Sequence, residues 1–341
     1  MHIDDLLKMV VNSNASDLHL VAGQFPTMRV NGAMMTFGDE ILSDKSAKAL
    51  IYEILSQAQS EELEKTRELD FAYKIGTEQE RFRVNVHFQK DTLAATLRVI
   101  PGTIPAAEKL NLPSIVYDIA KLENGLVLVT GPTGSGKSTT LAVILDLINK
   151  TQAKHVITIE DPIEFVHPHQ QSLFEQREVG RDTFSFAEAL KRALRQDPDV
   201  ILVGEMRDAE TISTAITAAE TGHLVFSTLH TNDTVQTIDR IIDVFPSHQQ
   251  SQIRMQLSMS LEAVLAQQLL PLKDNSGRVA AIEVLLATDS VRNVIRKANT
   301  HELHSIMEIE SRVGMQTMNQ ALQTLKDKGI QYISETEMKK W

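Results

Sequence analysis

An α/β chain of two domains, the second built on a mostly parallel sheet, is what the sequence predicts, and three observations carry the prediction. Four short runs, "GLVLVTG", "HVITIED", "DVILVGE" and "HLVFSTLH", are nearly continuous in Val, Ile and Leu and are separated by segments of helical spacing. That is the pattern of strands buried on both faces. A glycine-rich loop stands between the first run and a helical pattern. With 341 residues, the chain is long for one domain and sufficient for two, each with its own core.

The first domain is expected over residues 1–100. "IDDLLKMVV" has helical spacing, and "SDLHLVAG", "PTMRVNG", "LDFAYKIG", "RFRVNVHFQ" and "TLAATLRVI" alternate as strands do between Gly, Pro or charged clusters. One helical region, Ser43 to Thr66, interrupts them, so this part reads as α+β. "PGTIPAAEKLNLP", with three prolines in thirteen residues, breaks any periodicity and marks a linker at 101–113. The parallel-sheet core is expected over 114–287. A polar, mainly helical region follows over 288–341, with "MQTMNQALQTLKDKG" as a late amphipathic helix.

Composition narrows the function. A formal net charge of -11 argues against a protein that coats nucleic acid or an anionic membrane. Without any cysteine, disulfides, thiolate zinc sites and a cysteine nucleophile are excluded, and a cytoplasmic location is expected. The N-terminal stretch does not have the form of a secretory signal. No segment approaches about 18 uninterrupted apolar residues, so no membrane span is expected.

The chemistry lies in four motifs. "GPTGSGKS", Gly131 to Ser138, has the G-x-x-x-x-G-K-[ST] spacing between a strand and a helix. Gly131, Pro132, Thr133, Gly134, Ser135, Gly136, Lys137, Ser138 and Thr139 are therefore expected to bind ATP. The glycines let successive N–H groups turn toward phosphate, Lys137 reaches the β- and γ-phosphates, and Ser138 binds Mg²⁺. "DVILVGEMRD" ends a buried strand with Glu205, a carboxylate able to reach Mg²⁺ through water, while Gly204 stands where a Walker-B aspartate is usual. "ITIEDPIEF" packs Glu160, Asp161 and Glu164 into five residues, and one of them can orient or deprotonate the attacking water; spacing does not choose among them. "TGHLVFSTLHTND" puts His230 at the same sheet edge as Glu205 and the glycine loop, able to sense the γ-phosphate, with His223 a strand length away. Phosphoryl transfer also needs positive charge on its transition state, and Arg81 and Arg83 share one face of the strand "RFRVNVHF". Surface salt bridges are the alternative for these two.

The ordered set "SDLHL", "RFRVNVHFQ", "GPTGSGKS", "IEDPIEF", "VGEMRDAETISTAITAAETGHLVFSTLHTND" and "GMQTM" resembles the type IV pilus retraction ATPases (PilT-like) of the secretion ATPase superfamily, over essentially the whole chain. The resemblance implies a PAS-like N-terminal domain, a RecA-like ATPase domain and a homohexameric ring with nucleotide bound between domains and subunits. It implies Glu164 as the catalytic glutamate, Glu205 as the Walker-B glutamate, a histidine box at His223 and His230, and Arg81 and Arg83 at the nucleotide interface. It also implies a place at the inner face of the cytoplasmic membrane, an inner-membrane pilus platform protein as partner and a possible paralogous retraction ATPase. Where family members carry a C-terminal motif close to Ala-Ile-Arg-Asn-Leu-Ile-Arg-Glu, this chain reads "SVRNVIRK", keeping Arg292, Asn293, Ile295 and Arg296 and placing Lys297 last.

The leading expectation is thus a motor that turns ATP hydrolysis into pilus retraction and twitching motility. The extension ATPases of the same superfamily share these boxes but typically carry an additional N-terminal region and a four-cysteine zinc insertion; a chain without cysteine, expected to start at the PAS-like domain, favours retraction. A RecA-like nucleic-acid motor would need a basic channel with stacking aromatics, which one tryptophan and an acidic balance do not supply. An assembly protein that binds ATP without turnover would be told apart by phosphate release.

Overall fold

A computed structural model describes residues 2–30, 32–75, 80–100, 102–274 and 277–333. Pro101 at the start of the expected linker, Asn31 and Gly76 within expected strand segments, and 334–341 of the expected C-terminal region lie outside them. The chain divides into two compact units, Met1–Thr103 and Ile104–Trp341, within the proline-rich stretch.

The first unit runs α1 (Ile3–Asn12), β1 (Asp17–Val21), β2 (Thr27–Val30), β3 (Ala33–Thr36), α2 (Asp44–Tyr52), α3 (Gln57–Thr66), β4 (Glu68–Lys74), β5 (Arg81–Gln89) and β6 (Thr92–Ile100). Its antiparallel sheet has the order β3-β2-β1-β6-β5-β4. Helix α1 buries Ile3, Leu6, Leu7 and Val10, the spacing of one helical face. Strand β5 buries Phe82, Val84 and Val86 and turns Arg81 and Arg83 to the opposite face. The single helical region expected at Ser43 to Thr66 is two helices. Ser43 caps α2 by accepting from the Ser46 N–H, and Ser56 with Gln59 forms a capping box that starts α3 afresh.

The second unit runs α4 (Ile115–Ile119), β7 (Gly125–Thr130), α5 (Lys137–Thr151), β8 (His155–Glu160), β9 (Leu173–Glu178), α6 (Phe186–Ala193), β10 (Val200–Val203), α7 (Ala209–Glu220), β11 (Leu224–Leu229), α8 (Thr234–Asp243), α9 (Ser247–Ser260), β12 (Leu261–Pro271), β13 (Arg278–Leu286), α10 (Asp289–Arg296), α11 (Leu303–Ile309) and α12 (Met318–Asp327). Its seven strands lie in the order β13-β12-β7-β11-β10-β8-β9, parallel except for the β12–β13 pair. The continuous apolar runs follow from helices on both faces. Leu126, Leu128, Ile157, Ile159 and Val203 pack into one core with residues of α6 to α10, and the alternate residues Val127, Val129, Val156 and Leu202 pack into another with α4 and α5. Val291, Ile295, Leu303 and Met307 belong to the first of these cores, so the C-terminal helices close the sheet. Among the described residues no helix is long and apolar enough to cross a membrane.

Because β7, β10 and β11 are neighbours and parallel, the loops at their carboxyl ends meet. Open α/β sheets bind ligands there. The loop after β11 is tied down by Glu283 of β13, which is 2% exposed. Its carboxylate accepts from the Thr234 N–H at 2.9 Å and hydroxyl at 2.8 Å, and from the Met318 N–H at 3.2 Å. These are the opening residues of α8 and α12, whose free N–H groups and dipoles favour an anion. Glu283→Ala should leave the Thr234 and Met318 N–H groups without this acceptor and lower the unfolding free energy of this unit by about 2–4 kcal/mol in chemical denaturation; a change within error would show that water replaces the carboxylate without loss.

Candidate functional site

The loop between β7 and α5 is shaped by what lies behind it. Gly131 has φ 142° and Gly136 has φ 87°, both left-handed, and a Cβ at either would collide with Gln267. The buried Ser135 hydroxyl has no hydrogen-bond partner among the described residues, and a Cβ on Gly131 would stand 2.7 Å from it. It is a donor available to a phosphate oxygen. Lys137, the first residue of α5, is 8% exposed and donates to the carbonyls of Gly131 at 2.8 Å and Pro132 at 3.1 Å. Burial pulls its ammonium below the usual lysine pKa, and the charges of Glu164 and Glu205 oppose that shift. Pro132, Thr133 and Gly134 form the exposed rim, and Ser138 and Thr139 lie half-buried at the helix start.

Glu205 follows β10. Its carboxylate meets the Arg207 guanidinium at 2.8 Å and His230 Nε2 at 3.5 Å. The glycine before it has a physical reason: the Gly204 N–H donates to the Ile159 carbonyl at 2.7 Å, and a Cβ would stand 3.2 Å from that oxygen and 3.3 Å from Glu160 Cα. A side chain here would press tightly on β8.

The acidic segment separates its carboxylates by environment. Asp161 and Glu164 are exposed. Glu160 accepts from the Thr158 hydroxyl at 2.6 Å, from Gln176 Nε2 at 3.3 Å and from the Glu164 N–H at 3.4 Å. Gln176 also donates to the Phe165 carbonyl at 2.8 Å and accepts from the His167 N–H at 2.8 Å. Glu178 accepts from the Ile163 N–H at 3.2 Å. The segment carrying Glu164 is therefore held by side chains of β9, none of which the motifs single out. His167 stacks on Phe174, with ring centroids 4.7 Å apart, and shares a cavity of about 40 Å³ with Ser138, Glu160, Gly204 and Thr228.

The structure thus brings Lys137, Ser138, Glu164, Glu205 and His230 to one sheet edge. His223 stays at the far end of β11, its Nδ1 2.9 Å from the Ala218 carbonyl near the end of α7. Arg81 and Arg83 belong to the first unit, on the open face of β5. A cavity of about 500 Å³ opens beside Gly136, Thr139 and Thr140, with Leu269 and Ile330 in its wall and Arg278 in its lining. Its size and its mix of apolar and cationic groups suit a nucleoside next to the phosphate loop.

The type II/IV secretion system protein family matches residues 1–276. The type IV pilus retraction ATPase PilT of Pseudomonas aeruginosa is 47% identical over 330 residues, which cover 97% of this chain and 95% of that one. A twitching motility protein of Neisseria gonorrhoeae is 48% identical over 305 residues, covering 89% and 81%. A crystal structure of the pilus retraction motor PilT with bound ADP matches with a TM-score of 0.91 at 45% identity, over 99% of this chain and 96% of that one.

Two desolvated groups here respond to pH in opposite directions. Desolvation raises Glu160 from 4.5 to about 7 against its hydrogen bonds, and desolvation lowers His167 from 6.5 to about 4. Between pH 4.5 and 7 the folded state holds more of the glutamate's proton than the unfolded state, so that contribution to stability falls as pH rises. For the histidine the sign reverses, and its contribution grows between pH 4 and 6.5. Glu160→Gln should accordingly gain stability relative to wild type as pH rises through its window, and His167→Asn should lose it through the other. Urea titrations across that range check both; parallel difference curves would reject the assignment.

Proposed function

The chain belongs to the type II/IV secretion system proteins and, within them, to the type IV pilus retraction ATPases, and from that premise we propose that it is a homohexameric motor hydrolysing ATP to retract pili. The observation that carries the reading is a buried loop lysine within electrostatic reach of Glu164 and Glu205 at the carboxyl edge of a parallel sheet. Gly131 to Thr139 receive the phosphates through backbone N–H groups, and Lys137 stabilises charge on the β- and γ-oxygens. The donors also fit Mg²⁺, with Ser138 as ligand and Glu205 acting through water; when bound, the ion would neutralise phosphate charge. Glu164 is the base: Glu160 is engaged by three donors, whereas Glu164 is exposed and charged toward Lys137. It takes the proton of the attacking water, and His230, beside Glu205, donates toward the γ-phosphate.

Arg81 and Arg83 complete the site from a neighbouring subunit. Arg81 lies opposite Lys74, and Arg83 opposite Arg98, whose own charge Asp17 meets at 2.8 Å; like charges in direct register destabilise a sheet unless an anion meets them, and Arg81 and Arg83 have no ion pair among the described residues. A nucleotide phosphate is such an anion. Closing of one subunit on the next then moves the ring against an inner-membrane platform protein at the cytoplasmic face of the membrane, alone or with a paralogous ATPase.

Lys137→Ala should abolish hydrolysis, and Glu164→Gln should bind ATP yet turn over about 10²-fold more slowly. Mixed rings of Arg81→Ala and Lys137→Ala subunits should recover part of the activity if arginine and loop come from different chains; no recovery in verified mixed rings would favour a site within one chain. In cells lacking the protein and any paralogue, surface pili should persist but fail to shorten. Bald cells whose piliation returns with this gene alone would refute retraction.

A further inference from the structure

Gln267, on β12, is far from every motif in the sequence and touches the phosphate loop at both ends. It is 2% exposed. Its backbone carbonyl faces Gly131, where a Cβ would stand 2.2 Å from the oxygen, and its amide nitrogen faces Gly136, where a Cβ would stand 2.9 Å away. Gln267 Nε2 donates to the Ser135 carbonyl at 2.7 Å, and the Thr140 hydroxyl, in the first turn of α5, donates to Gln267 Oε1 at 2.7 Å. A carbonyl only accepts, so the Ser135 oxygen dictates which end of the amide it faces, and Thr140 satisfies the other end. A buried carboxamide is stable only when both ends are paired, so moving the loop, the strand or the helix start breaks a bond to one of the others.

We propose that Gln267 is a positioning residue for the nucleotide, with Thr140 as its orienting partner: the pair holds the phosphate loop in its receiving shape and so sets affinity for the phosphates. The proposal rests on the nucleotide reading of the loop. Neither side chain performs chemistry in it; the loop they hold contacts phosphate in ground state and transition state alike, so their loss should act on binding more than on turnover.

The test uses the full-length protein and a fluorescent ADP analogue, with steady-state ATP hydrolysis beside it. Gln267→Leu keeps the volume and removes both bonds; it should raise Kd for ADP and KM for ATP about tenfold while kcat changes less than about threefold. Gln267→Glu sets an acceptor against the Ser135 carbonyl and should bind ADP no better than Gln267→Leu. Thr140→Val should raise Kd for ADP by about threefold, and adding it to Gln267→Leu should cost nothing further, because the two act as one unit. A lower melting temperature with unchanged ADP affinity per folded molecule would overturn the proposal, as would additive effects or a fall in kcat with KM unchanged. If Gln267→Leu does not fold, an unchanged Kd in Thr140→Val overturns it instead. Lys137→Ala separates the two levels. Wild-type hydrolysis by that variant removes the nucleotide reading itself, whereas an inactive Lys137→Ala alongside wild-type ADP binding by Gln267→Leu removes only this proposal.

Discussion

Lys137 is an ammonium folded into the base of a glycine loop with 8% of its surface exposed, and a buried cation persists only where oxygen atoms and negative charge surround it. The carbonyls of Gly131 and Pro132 supply the oxygens, and Glu164 and Glu205 supply the charge. Each of these depends on a different strand. The loop's own turns need glycine because β12 presses against it from behind, Glu205 is placed by β10, and Glu164 by a segment laced to β9. The burial of the lysine thus depends on β12, β10 and β9 together.

The same edge shows how burial sorts identical groups into different roles. Glu160 and Glu164 are four residues apart, yet one is desolvated, held by donors and raised to about 7, while the other is exposed. The first braces the backbone of the second through the Glu164 N–H. His223 and His230 divide in the same way, one beside the end of a helix and one facing Glu205. What a residue type can do at this site is decided by its neighbours.

In the first unit the notable feature is a pair of arginines that the sheet carries without a partner of opposite charge among the described residues. Arg98 is paired to the buried Asp17 at 2.8 Å, but Arg81 and Arg83 form no ion pair among the described residues. Lys74 directly opposite Arg81 is a like-charge pair that costs the sheet some stability. On the proposed reading, assembly of the ring and binding of an anionic nucleotide repay it together.

The sequence by itself determined the loop, the lysine, four of the inner strands, β7, β8, β10 and β11, and the positions of Glu205 and His230, because each is a local pattern: a fixed spacing, or an apolar run whose length and end are readable. The capping box of Ser56 and Gln59 was equally local, so the break between α2 and α3 was readable there too. Other parts were not legible. Strand β9, "LFEQRE", is a polar edge strand, and β12, "LEAVLAQQLLP", is rich in Ala, Leu, Gln and Glu, residues whose propensity favours helix, so its pairing with β7 and β13 is what makes it a strand. Gln267 lies 132 residues from Ser135 and 127 from Thr140, and Glu283 lies 49 from Thr234. Nothing near a buried glutamine or glutamate in a sequence says which distant backbone it will hold. The fold decides that, because a polar group closed off from water must find its partner among whatever the packing of the sheet brings beside it.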